Sequence, residues 1–108
     1  MTALQKLLAK VKAGDGISSE DTGHVFDSVY DVSYALNADY GSLDAAKALH
    51  EAVLPDWGRS VDATAPEMGV EVKLHSADSV SIGDHQPTEA RAWLIAIIEA
   101  LIAQEQAT

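Results

Sequence analysis

Four side chains that could bind a metal ion recur at helical spacing in the N-terminal third of the chain. Glu20, His24, Asp27 and Asp31 are three or four residues apart, so a single helix would bring them to one face. Hard divalent cations accept carboxylate and imidazole ligands. The opposite face of the same helix is apolar, and an amphipathic helix places acids on its solvated side for that reason alone. We therefore predict a solvated acidic face and no metal site.

The other histidines do not complete a catalytic arrangement. Asp84 and His85 are predicted to lie in the turn before the last helix, where they could cap backbone groups. No G-x-S-x-G turn is present, and no motif places a serine near His85. His50 and His75 have no partner at a fixed spacing and are interpreted as surface or interface residues. Phosphate-binding glycine loops and cysteines are also absent from the sequence, so we predict no enzymatic activity and no cofactor.

Charge is distributed unevenly along the chain. Lys6, Lys10 and Lys12 precede the first acidic residue, Asp15, so only four of the seven basic residues accompany the 17 acidic ones that follow. Such a field repels phosphate backbones and anionic membranes, and it favours basic partners. We therefore predict a partner protein with a basic surface, and no direct binding to nucleic acid or to a membrane.

The apolar pattern indicates a cytoplasmic protein. The longest apolar stretch runs from Trp93 to Ala103, which is 11 residues and about half of what spans a bilayer. The first residues interleave lysine with leucine and lack the order of charged and apolar regions found in a signal peptide. We expect the protein to remain in the cytoplasm.

Hydrophobic spacing predicts three helices before any strand. A short first helix is expected to end at Gly14. A longer second helix is predicted from Ser18 or Ser19, because four apolar residues fall on one face: Val25, Val29, Val32 and Leu36. Ser42 is predicted to cap a third helix, which Pro55 ends.

After Trp57 the period of the pattern changes to two. Short strands are predicted over residues 59–64, over residues 70–75 and around Val80 and Ile82, in an antiparallel meander. The alternating residues Glu71, Lys73 and His75 predict a partly solvated outer face for this sheet.

The last helix is predicted to begin after Thr88, its N-cap, with Glu89 in the first turn. Its large apolar residues cover more than half of its circumference, so it must be central or must meet another subunit. The sequence therefore predicts one α+β domain over residues 1–108: three helices, a three-stranded antiparallel meander and a long C-terminal helix packed on the sheet.

The chain from Ser42 onward resembles the phage ABA sandwich domain family. The segments that carry the resemblance are Leu43-Asp44-Ala45-Ala46, Leu49, Leu54-Pro55, Trp57 and Pro87-Thr88-Glu89-Ala90-Arg91-Ala92. This resemblance implies a phage or prophage origin and helices on both faces of the sheet. It implies no activity and carries no catalytic residues.

The leading hypothesis is a phage-encoded binding protein that inhibits a host nucleic-acid-handling or defence factor, in the manner of an anti-CRISPR protein, in the host cytoplasm. The residues predicted to bind the partner are Glu20, Asp27, Asp31, Tyr34, Glu71, Asp84 and His85. One alternative is a protein that sequesters a small nucleotide signal in a pocket around His85 and the last helix. Another is a homo-oligomeric viral structural or accessory protein, with a homodimer formed through the last helix.

Overall fold

The structure, a computed structural model, describes residues 2–62, 69–76, 80–86 and 88–107. Within these residues the chain forms five helices and three strands. In chain order they are α1 (Ala3–Ala13), α2 (Ser19–Gly23), α3 (Val29–Asp39), α4 (Leu43–Val53), β1 (Gly58–Asp62), β2 (Val70–His75), β3 (Val80–Gln86) and α5 (Glu89–Ala107). The α+β fold class predicted from the sequence is confirmed.

Several helix ends are set by local caps, and the sequence predicted those at Gly14, Ser42 and Thr88. Gly14 ends α1 in the left-handed conformation, with φ of 73°. The hydroxyl of Ser42 accepts a hydrogen bond from the Ala45 N–H over 3.2 Å at the start of α4. Thr88 accepts one from the Arg91 N–H over 3.1 Å at the start of α5. The two hydroxyl caps satisfy backbone N–H groups that have no partner within the helix.

The single second helix predicted from Ser18 or Ser19 is wrong, because the structure divides it into α2 and α3. Ser18 caps α2, which ends at Gly23, and the Ser28 hydroxyl starts α3 by accepting the Tyr30 N–H over 3.1 Å. A glycine and a second serine cap provide local alternatives to a continuous helix. The predicted apolar face is kept only in part: Val25 and Val32 pack against the core, whereas Val29 is 78% exposed.

The three strands form the predicted antiparallel meander in the order β1-β2-β3. Val72 and Leu74 are buried on one face, whereas Lys73 and His75 are exposed on the other. This confirms the partly solvated outer face expected from the alternation. Val80 and Ile82, which are paired with His75 and Lys73, are also exposed on that face, so it is only partly polar. Residues 63 and 64, which the sequence placed at the end of the first strand, lie outside the described residues.

Helix α5 is the central element of the fold. It packs against β2 and β3 and also against α1, α3 and α4, so it lies between the sheet and the other helices. Residues 92–98 are all buried, and burial of each large apolar side chain among them is worth roughly 1.5–3 kcal/mol. The wide apolar arc of α5 is thus filled largely by the chain's own elements. None of the helices in the described part of the chain is long and apolar enough to cross a membrane.

Candidate binding surface

The residues predicted to bind a partner are divided between two places in the fold. Glu20 on α2, Asp27 in the following loop, and Asp31 and Tyr34 on α3 lie in neighbouring elements. Glu20 and Asp27 are exposed, whereas Asp31 and Tyr34 are half-buried. The other three residues lie on the sheet: Glu71, Asp84 and His85. Because α5 lies between the sheet and α3, the structure does not join the two groups into one surface.

One face of α3 carries large apolar and aromatic side chains in solvent. Val29, Tyr30 and Tyr40 are 78%, 70% and 84% exposed. Val29 and Tyr30 are adjacent, and the exposed Ser33, Asn37 and the C-cap Tyr40 follow Tyr30 at spacings of three, four and three residues, which places all five on one side of the helix. We call these five residues the α3 strip. The side chain of Asn37 donates to the Ser33 hydroxyl over 3.4 Å at its centre.

Acidic residues flank the α3 strip in the sequence. Between Lys12 and Lys47 the chain contains no lysine or arginine, and it contains seven acids: Asp15, Glu20, Asp21, Asp27, Asp31, Asp39 and Asp44. Asp21 pairs with Lys10, and Asp39 pairs with Arg91. The other five carboxylates make no ion pair with any described residue. The region of α2 and α3 therefore carries negative charge that no ion pair among the described residues compensates.

The partner-binding residues predicted from the sequence include acids of this region but not Val29, Tyr30 or Tyr40. Val29 was assigned to a buried face, because the second helix was taken as continuous. The sequence did contain a signal for the negative charge of this region, because the 34 residues between Lys12 and Lys47 include no lysine or arginine. The exposure of the two tyrosines had no comparable signal, since tyrosine is found both at core edges and at interfaces.

The four side chains that could have formed a metal site are not on one helix. Glu20 belongs to α2, His24 caps its C-terminus, Asp27 lies in the loop, and Asp31 is in the first turn of α3. Among the residues that the structure describes, no group of three or more histidine and acidic side chains could hold a metal ion.

The sheet residues have different surroundings from those expected. Glu71 is half-buried, and its carboxylate is 3.5 Å from the ammonium of Lys73. Asp84 and His85 lie within β3 and not in a turn, because pairing with β2 continues as far as Val70 and Gln86. The side chains of Asp84 and His85 lie outside the described part of the structure, so a pocket around His85 is not described either.

His50 was interpreted as a surface or interface residue, and the structure corrects this. It is buried, and its Nε2 lies 2.8 Å from the carbonyl oxygen of Trp57. The indole N–H of Trp93 donates a hydrogen bond to the other ring nitrogen of His50, Nδ1, over 2.9 Å. Both ring nitrogens are therefore used inside the fold, and His50 does not contribute to a binding surface.

A cleft with a volume of about 410 Å³ lies between α1 and α2. Its walls are formed by Ala3, Lys6, Leu7, Asp21 and His24. The carboxylate of Asp21 contacts the Lys10 ammonium at 2.9 and 3.0 Å and accepts the Ser18 N–H at 3.0 Å. The hydrogen bond from Lys10, supported by that from Ser18, lowers the pKa of Asp21 from 3.8 to about 2.

Comparison with known proteins finds no match: no protein-family model, no curated protein and no solved structure corresponds to this chain.

Proposed function

We propose that this protein binds a basic partner protein through the α3 strip and the acids around it. The observation that carries the proposal is the exposure of Val29, Tyr30 and Tyr40 on one side of α3, within a region that has no lysine or arginine. Tyrosine is enriched among the residues that dominate binding energies at protein interfaces. An exposed arrangement of apolar side chains with a polar margin is a common property of such surfaces.

The charge around the strip favours an arginine-rich or lysine-rich partner. Asp27 and Glu20 are exposed and unpaired in the described part of the chain, so they can meet cations without losing an existing partner. Opposite charges at the margin of an interface accelerate association and reject partners of the wrong sign. The faces of Tyr30 and Tyr40 can also stack on guanidinium or ammonium groups.

The resemblance to phage proteins gives the proposed setting. In a phage or prophage, an acidic protein that covers a basic surface would inhibit a host factor that handles nucleic acid, because such factors bind phosphate backbones through basic patches. We propose inhibition of a host nucleic-acid-handling or defence factor as the biological role.

The test is capture of the partner from host lysate by the immobilised full chain, followed by mass spectrometry, with the wild-type chain and a Tyr30→Ser/Tyr40→Ser variant in parallel. We expect a stoichiometric partner that is released by salt, because exposed charge pairs are screened at high ionic strength. The double tyrosine variant should lose this partner, and Asp27→Asn should weaken its capture.

A matched control is Val80→Ser/Ile82→Ser, which changes two exposed apolar side chains on the sheet instead of on α3. It should capture the partner as the wild type does. Equal capture by the wild type and the tyrosine variant would refute the α3 strip as the binding surface, and recovery of no stoichiometric partner would refute the proposed function.

A further inference from the structure

The cleft between α1 and α2 is large enough to admit a small molecule. Its volume of about 410 Å³ falls within the range of about 300–1,000 Å³ that is typical of ligand pockets. Apolar side chains, Ala3 and Leu7, and polar ones, Lys6 and His24, contribute to the same walls. None of these residues belongs to the α3 strip, so the cleft is a separate feature from the proposed protein-binding surface.

Lys6 differs from the other two lysines of α1. Lys10 pairs with Asp21, and Lys12 lies 3.3 Å from a carboxylate oxygen of Glu99. Lys6 makes no ion pair with any residue in the described ranges, although the chain contains 17 acidic residues. Its exposed ammonium therefore remains free to bind an anion that enters the cleft.

The negative charge in the cleft wall is already compensated. Both carboxylate oxygens of Asp21 are bound by Lys10, and one of them also accepts the Ser18 N–H. An anion beside Lys6 thus meets a paired carboxylate, whose repulsion is reduced by the neighbouring ammonium.

The N-terminal end of α1 adds to the positive field. Ala3 and Lys6 lie at the start of this 11-residue helix, whose first turn contains no acidic side chain. The aligned peptide dipoles place partial positive charge at this end of a helix, and acids there would have neutralised it. Because Ala3 of this first turn lines the cleft, the dipole favours negative charge near that end of it.

We propose that the α1–α2 cleft binds a small organic anion, either a carboxylate or a phosphate monoester. Its charged group contacts the Lys6 ammonium and the His24 ring, and its apolar part lies against Ala3 and Leu7. The shared chemistry is an anionic oxygen group attached to a less polar body, and the two ligand classes are separated by the choice of probe.

The experiment is a titration of the 15N-labelled full chain, followed by amide chemical shifts, with butyrate and with adenosine monophosphate as the two anionic probes. Uncharged adenosine and inorganic phosphate serve as reference arms. We expect saturable shifts at Lys6, Leu7, Asp21 and His24 with at least one organic anion, and weaker binding of inorganic phosphate. Butyrate alone would identify a carboxylate site, and adenosine monophosphate alone a phosphate monoester site.

Two variants decide the role of the cleft. Lys6→Gln should weaken binding about tenfold, because it removes one hydrogen bond to a charged group. Lys47→Gln is the matched control, since Lys47 is an exposed lysine on α4 that pairs with Glu51 at 3.9 Å, and it should bind as the wild type does. His24→Gln should also weaken binding without changing the fold.

Three results would overturn the proposal: shifts that increase linearly without saturation for every probe, equal affinity of the wild type and Lys6→Gln, or saturable shifts of equal size with uncharged adenosine and with its monophosphate. None of these results depends on the α3 strip, and loss of partner capture by the tyrosine variant would leave this titration unchanged.

Discussion

The indole N–H of Trp93 donates a hydrogen bond to Nδ1 of His50 over 2.9 Å, which joins α5 to α4 inside the core. The two rings meet edge to face, with centroids 5.7 Å apart. Because an indole can only donate, Nδ1 must accept, and Nε2 must carry the proton that is donated to the Trp57 carbonyl oxygen at 2.8 Å. His50 is therefore the neutral Nε2–H tautomer. The Arg59 guanidinium covers the Trp93 ring at 4.1 Å.

Replacement of His50 should destabilise the fold even when ring volume is kept. His50→Phe leaves the Trp93 N–H and the Trp57 carbonyl without a partner, and a buried unsatisfied group costs about 1–3 kcal/mol. We expect a loss of at least this size in the free energy of unfolding, measured by urea denaturation. A change of less than about 0.5 kcal/mol, the usual limit for neutral surface substitutions, would contradict the role of the hydrogen bonds.

The Trp93 contact can be separated from the rest of the network by a double-mutant cycle. Trp93→Phe alone leaves Nδ1 of His50 without its donor. The double variant, His50→Phe/Trp93→Phe, removes both partners of this hydrogen bond. The double variant should therefore lose less free energy of unfolding than the sum of the two single variants. Nitrogen shifts of the His50 ring provide an independent check on its tautomer.

The fold class was predictable from the sequence because its signals are local. The alternation in β2 assigns Val72 and Leu74 to one face, and the caps Ser42 and Thr88 need only neighbouring backbone groups. The pairing of His50 with Trp93 joins residues 43 positions apart, and no local pattern specifies it. A histidine on a helix therefore gave no indication that both of its nitrogens would be used in the core.

Gly83 allows β3 to approach the backbone of α5. A Cβ atom at this position would overlap the Ala92 carbonyl oxygen and would lie 2.8 Å from the Ala96 nitrogen. Since these are backbone atoms of the central helix, they cannot move without separating the sheet from α5. Gly83→Ala should therefore lower the free energy of unfolding by at least about 3 kcal/mol, at or above the upper end for overpacked cores. Thermal unfolding measures the change.

Gly23 is a matched control, which shows whether the loss of stability in Gly83→Ala arises from the close approach to α5. Nothing lies within 4 Å of a Cβ atom built on Gly23, at the end of α2. Gly23→Ala should leave stability unchanged or raise it by about 0.5–1 kcal/mol, since glycine loses more backbone freedom on folding. If both variants lose stability to the same extent, the close approach at Gly83 is not the cause.

The candidate surface was predictable in its charge but not in its apolar part. Asp27 and Glu20 were expected in solvent, and they are exposed. Val29 fits the apolar spacing of a continuous helix and was therefore expected to be buried. The Ser28 cap instead starts a separate helix at this point, and Val29 lies in solvent. Spacing reports which residues share a face, whereas tertiary packing decides which face is covered.

Asp21 should make the stability of the fold depend on acid pH. Its pKa is lowered to about 2 in the folded chain by Lys10, so the folded state favours the ionised form. The resulting stabilisation is present above the ordinary value of 3.8 and is lost as pH falls towards 2. Asp21→Asn should therefore be less stable than the wild type near neutral pH, and the difference should disappear near pH 2.

Urea denaturation across this pH range, together with a carboxyl NMR titration of Asp21, tests the prediction. Glu20→Gln is the control, because Glu20 is an exposed neighbour without an ion pair in the described residues. Its difference from the wild type should be small and should change little over the same range. A carboxyl titration of Asp21 at its ordinary value would show that the Lys10 pair does not form in solution.

A second ion pair joins the end of α3 to the first turn of α5. The Arg91 Nε atom lies 3.5 Å from Oδ1 of Asp39, and the Asp39 side chain is only 3% exposed. Neither of these two atoms makes a hydrogen bond. The pair is therefore held by charge in a site that excludes water from the carboxylate, and each partner depends on the other for compensation.

Arg91→Met should consequently be among the most damaging single substitutions outside the apolar core. It leaves the buried carboxylate of Asp39 without a cation, and loss of one partner of a buried pair costs about 3–5 kcal/mol. Adding Asp39→Asn removes the charge that was left uncompensated, so the double variant should recover much of the lost free energy of unfolding. Urea denaturation of the two single variants and the double variant gives the coupling directly. A double variant as unstable as Arg91→Met alone would show that Arg91 acts through packing of its aliphatic part and not through the charge of Asp39.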